Sequence, residues 1–113
     1  MEKNQRRESR VSAKSQLNII FSKIPVVLNT CEVDSVLDLS SIGIKVEASE
    51  FEAKVGDIVT VSMVVNDRPI RTKGNIKFRK DHQYGIEFLR LQETDRKLIK
   101  TLKISSVNWR WKN

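Results

Sequence analysis

The sequence has few of the residues that usually build catalytic and metal sites. Its single cysteine, Cys31, excludes an internal disulfide framework and any multi-cysteine metal site, and its single histidine, His82, excludes a two-histidine site. His82 lies in a polar, turn-like stretch, which is a poor place for a catalytic base. The four glycines are too widely spaced for a GxGxxG or GxxxxGK[ST] loop. We therefore expect a binding protein that has no catalytic residues, metal or cofactor, and not an enzyme.

Long hydrophobic runs are also missing. No apolar stretch approaches the roughly 20 residues that a membrane-spanning helix needs. The basic residues 1–10 are not followed by the apolar segment of a secretory signal peptide. A length of 113 residues predicts one domain. We expect no membrane insertion, and a reducing, cytoplasmic location.

Positive charge is in excess, but it is concentrated at the two ends. The net charge is +7, from 21 Lys and Arg against 14 Asp and Glu. Residues 1–14 hold five basic and two acidic residues, residues 90–113 hold seven and two, and residues 15–89 hold nine and ten. This distribution does not favour a surface that wraps nucleic acid, although basic arms on a neutral body are an alternative.

The apolar pattern predicts short β-strands followed by one helix. The first strand candidate is Leu17–Phe21, which Pro25 interrupts before Val26–Leu28. The others, also rich in β-branched and aromatic residues, are Glu32–Leu39, Ile42–Glu47, Ile58–Val65, Ile70–Arg79 and Tyr84–Leu89. Residues Asn66–Pro69 supply a hairpin turn before the strand that starts at Ile70. Beyond Thr94, a candidate N-cap, apolar residues recur at helical spacing. Roughly six short strands and a helix predict a small antiparallel β-barrel closed by a C-terminal helix.

Two terminal segments fall outside this predicted barrel. Residues 1–14 are polar and charged, which predicts a flexible arm. Residues 105–113 form a basic tail in which Trp109 and Trp111 flank Arg110. That tail either anchors on the barrel or contacts a partner. The barrel and its helix then occupy residues 15–104.

Two short motifs stand out. Arg6 and Arg10 form an RxxxR in the arm, and Asp38, Ser40 and Gly43 form a DxSxxG between two predicted strands. Each motif alone is common enough to arise by chance. Their occurrence together, in this order and inside this strand pattern, is what makes them informative.

With these motifs the chain resembles the PilZ domain family, bacterial receptors for the second messenger cyclic di-GMP. In that family an RxxxR precedes a six-stranded barrel, and a [D/N]xSxxG follows at the junction of the second and third strands. The late strand around Gly85 and the C-terminal helix match as well. The resemblance implies a mainly β fold: a six-stranded antiparallel PilZ-type β-barrel with a C-terminal α-helix and a flexible basic N-terminal arm. The cyclic di-GMP-binding residues that it implies are Arg6, Arg7, Arg10, Asp38, Ser40 and Gly43.

The chemistry of these residue types suits that ligand. An arginine fork pairs with phosphate oxygens or with guanine O6 and N7, and it also stacks on the base. The Asp38 carboxylate is an acceptor for the guanine N1–H and N2–H₂ donors. Ser40 offers a hydroxyl contact, and Gly43 allows close approach of the backbone.

We therefore predict a cyclic di-GMP receptor or adaptor that changes conformation on binding and signals to a downstream protein partner. One alternative is a ligand-independent interaction module of the same fold. A less favoured one is a small nucleic-acid-binding barrel, which gives no reason for Asp38 and Ser40. The number of ligand molecules per chain and the oligomeric state stay open.

Overall fold

The protein forms a curled antiparallel sheet, half of a barrel, with one C-terminal helix, in a computed structural model that describes residues 24–102. The elements are β1 Val26–Leu28, β2 Cys31–Glu32, β3 Ser35–Leu39, β4 Gly43–Glu47, β5 Ile58–Val65, β6 Arg68–Lys80, β7 Gln83–Phe88 and α1 Glu93–Thr101. The strand order across the sheet is β2-β1-β5-β6-β7-β4-β3, and every neighbouring pair is antiparallel.

The expected mainly β fold with a C-terminal helix is confirmed, but the described sheet has seven strands and not six. The predicted strand Glu32–Leu39 divides into β2 and β3, which lie at opposite edges of the sheet. Between them, the Val33 amide donates to a β1 carbonyl (3.1 Å) and the Asp34 amide to a β4 carbonyl (2.7 Å). The chain therefore crosses from one edge to the other within two residues, which requires the sheet to curl. The predicted strand Leu17–Phe21, the arm 1–14 and the tail 105–113 lie outside the described residues.

The β5–β6 hairpin shows why the sequence folds this way. Residues of β5 alternate between a buried and a more exposed position along its whole length, as a strand with one face on the core must. Asn66 and Asp67 have φ of 50° and 66°, so they form the two-residue turn with two positive φ angles whose twist matches that of the strands. The predicted hairpin turn is confirmed in its place, but it is shorter than Asn66–Pro69, because Arg68 and Pro69 already pair with β5 at the start of β6.

The core lies on the concave face of the sheet. Its fully buried branched side chains include Leu39, Ile44, Ile76 and Ile86, and each such burial stabilises the fold by about 1.5–3 kcal/mol. Tyr84 is buried among them, and its hydroxyl donates to the carbonyl of a loop residue, Phe51 (3.0 Å). The aromatic side chain on β7 is therefore part of the packing.

Helix α1 is attached to the sheet by apolar packing and by an ion pair. Ile99 is fully buried, and the buried Asp95 carboxylate accepts a 2.8 Å ion-paired hydrogen bond from Arg68 Nε. The prediction that Thr94 caps the helix is wrong, because the helix begins at Glu93 and Thr94 lies in its first turn. The Thr94 hydroxyl accepts a hydrogen bond from Arg68 Nη2 instead (3.1 Å).

Candidate functional site

The DxSxxG motif forms the connection between β3 and β4, and Ser40 is its centre. The Ser40 amide donates to the Gly43 carbonyl (2.9 Å), while the Ser40 hydroxyl oxygen accepts from the amides of Ile42 (3.0 Å) and Gly43 (3.4 Å). Ser40 is only 3% exposed. A serine at this position therefore satisfies two backbone donors of the turn, and the turn keeps its shape without a ligand.

Asp38 is presented by an irregularity in β3. The β3–β4 register shifts between Val36, which pairs with Val46, and Asp38, which pairs with Lys45. Val36 and Leu39 are both buried, and the two residues between them are only half-buried. The register shift places one extra residue on β3. Such a β-bulge redirects side chains and is common beside functional sites. It lets Asp38 leave the core face although Leu39 remains in the core.

The Asp38 carboxyl lies in a partly desolvated environment. Burial raises its pKa above the ordinary value. Two weaker influences lower that pKa: the Leu39 amide, which donates to Asp38 Oδ1 (2.9 Å), and the positive charge of Lys45. Because desolvation dominates, a further N–H donor reaching this carboxylate would compete with less water than at a fully exposed carboxylate.

Two glycines lie on the outer face of the sheet beside Asp38. Gly43 pairs with Glu87 of β7, and Lys45, the partner of Asp38, pairs with Gly85. Ile44 lies between Gly43 and Lys45 and is fully buried, so Gly43 and Lys45 lie on the opposite, outer face, although Gly43 and Gly85 are themselves buried. Gly43 has no positive φ, so its value at this position is the missing side chain. Neither glycine therefore adds a side chain to the outer face beside Asp38.

Asn75 of β6 is a residue that the sequence reasoning missed. It pairs with Glu87, which in turn pairs with Gly43, so these three residues form one row across the outer face. Within residues 24–102, Asn75 Oδ1 is a buried side-chain oxygen with no hydrogen-bond partner. A buried acceptor without a donor is unfavourable, and a donor from outside the sheet would relieve this. The sequence could not reveal this, because a polar residue on a strand face does not show whether its side chain lacks a hydrogen-bond partner.

Arg96 of helix α1 reaches the same turn, a contact that the sequence also did not reveal. Its Nη1 donates to the Ser41 carbonyl (3.4 Å), and its Nε lies 3.8 Å from Glu93 Oε1. The first turn of α1 is therefore connected to the motif turn on one side and, through Asp95, to Arg68 on the other. No local pattern signals a contact between residues 55 positions apart.

The six sequence-predicted ligand residues divide into two groups. Asp38, Ser40 and Gly43 are brought together in one turn. Arg6, Arg7 and Arg10 lie outside the described residues. Within residues 24–102, no group of three His, Cys, Asp or Glu side chains is arranged to hold a metal ion. In the same range, no helix has both the length and the apolar character to cross a membrane.

Comparison with protein families agrees with these motifs. The PilZ domain model matches residues 4–104, which include all six predicted ligand residues. The chain therefore belongs to the PilZ domain family, a cyclic di-GMP-binding family whose members are binding or adaptor domains and not enzymes. A search of curated proteins finds no match.

Proposed function

We propose that this protein is a receptor for cyclic di-GMP that binds its ligand between residues 6–10 and the Asp38–Gly43 turn. The observation that carries the proposal is that turn: a bulge presents a partly desolvated carboxylate on the outer face, next to a turn held by Ser40. The family match supports it, because the matched range contains the RxxxR as well.

The two halves of the site divide the ligand chemistry between them. The Asp38 carboxylate accepts from guanine N1–H and N2–H₂, and a charge-assisted pair of this kind is worth about 1.5–3 kcal/mol. Arg6, Arg7 and Arg10 contact the phosphates or the guanine O6 and N7 edge. Ser40 keeps the turn in shape, and Gly43 lets the base approach the backbone.

Binding is coupled to signalling through the arm. When arginines on residues 1–14 close over the ligand, the surface around β3 and β4 changes, and a protein partner reads that change. In this proposal the protein is bacterial and cytoplasmic, binds cyclic di-GMP as its ligand and needs no cofactor.

Isothermal titration of the full chain with cyclic di-GMP tests the proposal. We expect saturable heat for the wild type, and a marked loss of affinity for Arg10→Ala and Asp38→Ala. The matched control for Arg10→Ala is Arg71→Ala, at an exposed arginine in the part of β6 that pairs with β5. The matched control for Asp38→Ala is Glu50→Ala, at an exposed acidic residue in the loop after β4. Both should bind like the wild type.

A folded wild-type protein that gives no heat at micromolar concentration would contradict the receptor function. That result would favour the ligand-independent interaction module. A loss for Arg71→Ala equal to that for Arg10→Ala would show non-specific attraction of an anion to a basic protein, and such attraction would weaken uniformly with salt.

A further inference from the structure

A surface groove beside the β5–β6 hairpin turn is not used by the proposed receptor site. It has a volume of about 520 Å³ and is lined by Ile24, Pro25, Val64, Val65, Asn66, Asp67 and Leu102. That volume lies within the roughly 300–1,000 Å³ of clefts that hold organic ligands. Val64 is 39% exposed, although it is a large apolar side chain. The groove therefore offers apolar surface that another group can cover.

The groove lies where the described part of the chain ends. Leu102, the last described residue, forms part of its wall. Eleven residues follow it, 103–113, and they include Val107, Trp109 and Trp111. Four residues separate Leu102 from Val107, which is enough for a β-turn that reverses the chain. The aromatic part of the tail can therefore reach the groove without strain.

Charge also matches the tail to the groove. Asp67 is the one charged residue among those that line it. Residues 103–113 contain Lys103, Arg110 and Lys112 and no acidic side chain. A tryptophan that fills the groove beside Val64 would bring Arg110 close to the Asp67 carboxylate. An indole buries about 150–250 Å² and is therefore a strong anchor for such a segment.

We propose that the groove is the docking site of this chain's own C-terminal tail, residues 107–111, with an indole ring against Val64 and Pro25 and Arg110 facing Asp67. Residues 105–113 lie beyond the range matched by the family model. Tail docking is thus a property of this chain that the receptor function does not supply. It also gives a role to Arg110 of the basic C-terminal end, for which cyclic di-GMP binding gives none.

Tryptophan fluorescence tests the proposal directly, because the chain has two tryptophans and both are in this segment. In the native full-length protein we expect blue-shifted emission and acrylamide quenching several-fold weaker than for a peptide of residues 103–113. Emission identical to that of the free peptide would overturn the proposal.

Groove variants locate the docking site. Val64→Asp should shift the emission to that of the free peptide, whereas Val55→Asp, at an exposed apolar residue in the turn before β5, should leave it unchanged. Asp67→Asn keeps a residue that tolerates positive φ and should increase quenching by a smaller amount. Far-ultraviolet circular dichroism shows whether each variant is folded.

Two outcomes would assign the groove to another occupant. If folded Val64→Asp keeps the wild-type emission, the tail lies elsewhere and residues preceding Ile24 become the candidate occupant. If the emission of the wild type shifts towards that of the peptide on dilution, the tail docks on a second copy. Either result contradicts docking within one chain, and neither bears on cyclic di-GMP binding.

Discussion

The two hairpin turns at Asp38–Gly43 and at Asn66–Asp67 join antiparallel strands in different ways. The Asn66–Asp67 turn uses two positive φ angles, and its residues are exposed. The Asp38–Gly43 turn contains no positive φ angle. It is held by a buried serine and preceded by a bulge. The Asn66–Asp67 turn is the shortest way to reverse the chain between two twisted strands. The Asp38–Gly43 turn uses more side chains than chain reversal requires, which indicates a role in addition to folding.

The largest expected difference between the turns is in ligand affinity. Asp38→Ala should weaken cyclic di-GMP binding by about 2 kcal/mol, or about 30-fold, because guanine loses a charged acceptor. Asp67→Asn should bind like the wild type. Calorimetric titration of both variants measures this, and an equal effect of the two would remove the functional distinction between the turns.

The same Asp38→Ala variant should leave stability nearly unchanged. Burial already disfavours the charged carboxylate, so the loss of that charge offsets the loss of the Leu39 hydrogen bond. We expect a change in the free energy of unfolding within about 0.5 kcal/mol, as for substitutions away from the core. A much larger loss in urea unfolding would show that Asp38 serves the fold.

Ser40→Ala, unlike Asp38→Ala, should reduce the stability of the fold. Its hydroxyl is the acceptor for two amides in a buried place, so we expect a loss of about 1–3 kcal/mol in the free energy of unfolding. Asn66→Gly is the matched change in the other turn, and it should be nearly neutral because glycine accepts positive φ. Urea denaturation compares the two. A neutral Ser40→Ala would mean that the motif turn does not depend on its serine.

Affinity should also depend on pH through Asp38. Its pKa in the free protein is raised, and guanine donors would favour the charged form, so the bound pKa would be lower. Affinity should therefore fall as pH drops through the pKa of the free protein, and binding in that range should release protons. Asp38→Asn keeps an acceptor but cannot titrate, so the difference between the two pH profiles isolates this group. Identical profiles would exclude Asp38 as the contact.

The smallest effect is expected at the helix. The Arg96 guanidinium makes a long 3.4 Å hydrogen bond to the Ser41 carbonyl from a partly exposed position. Arg96→Ala should reduce stability by no more than about 0.5 kcal/mol. Urea denaturation of Arg96→Ala beside Lys97→Ala, an exposed neighbour in the same helix, measures this contribution.

Local patterns predicted most of the fold. Alternating apolar residues located β4 to β7. A hairpin turn was predicted at Asn66–Pro69 from its turn-forming residues, and the structure forms it at Asn66 and Asp67. The division of Glu32–Leu39 into two strands was missed, because the Val33 and Asp34 amides bond to strands distant in sequence. Thr94 was misassigned because a candidate cap is recognised by residue type, whereas its actual partner is Arg68.

The candidate site was predictable where its residues are adjacent in sequence. The DxSxxG spacing located Asp38, Ser40 and Gly43 in one turn. The bulge that orients Asp38 and the approach of Arg96 and Asn75 depend on register and tertiary contact, which residue type does not encode. The roles of Arg6, Arg7 and Arg10 stay predictions.

Amide chemical shifts during titration with cyclic di-GMP test the central claim most directly, because they compare both turns in one experiment. Saturable shifts at the amides of Leu39, Ile42 and Gly43, with none at Asn66 and Asp67, are the predicted result. Saturable shifts elsewhere that leave the Asp38–Gly43 turn unchanged, or no shifts at any amide, would contradict the account.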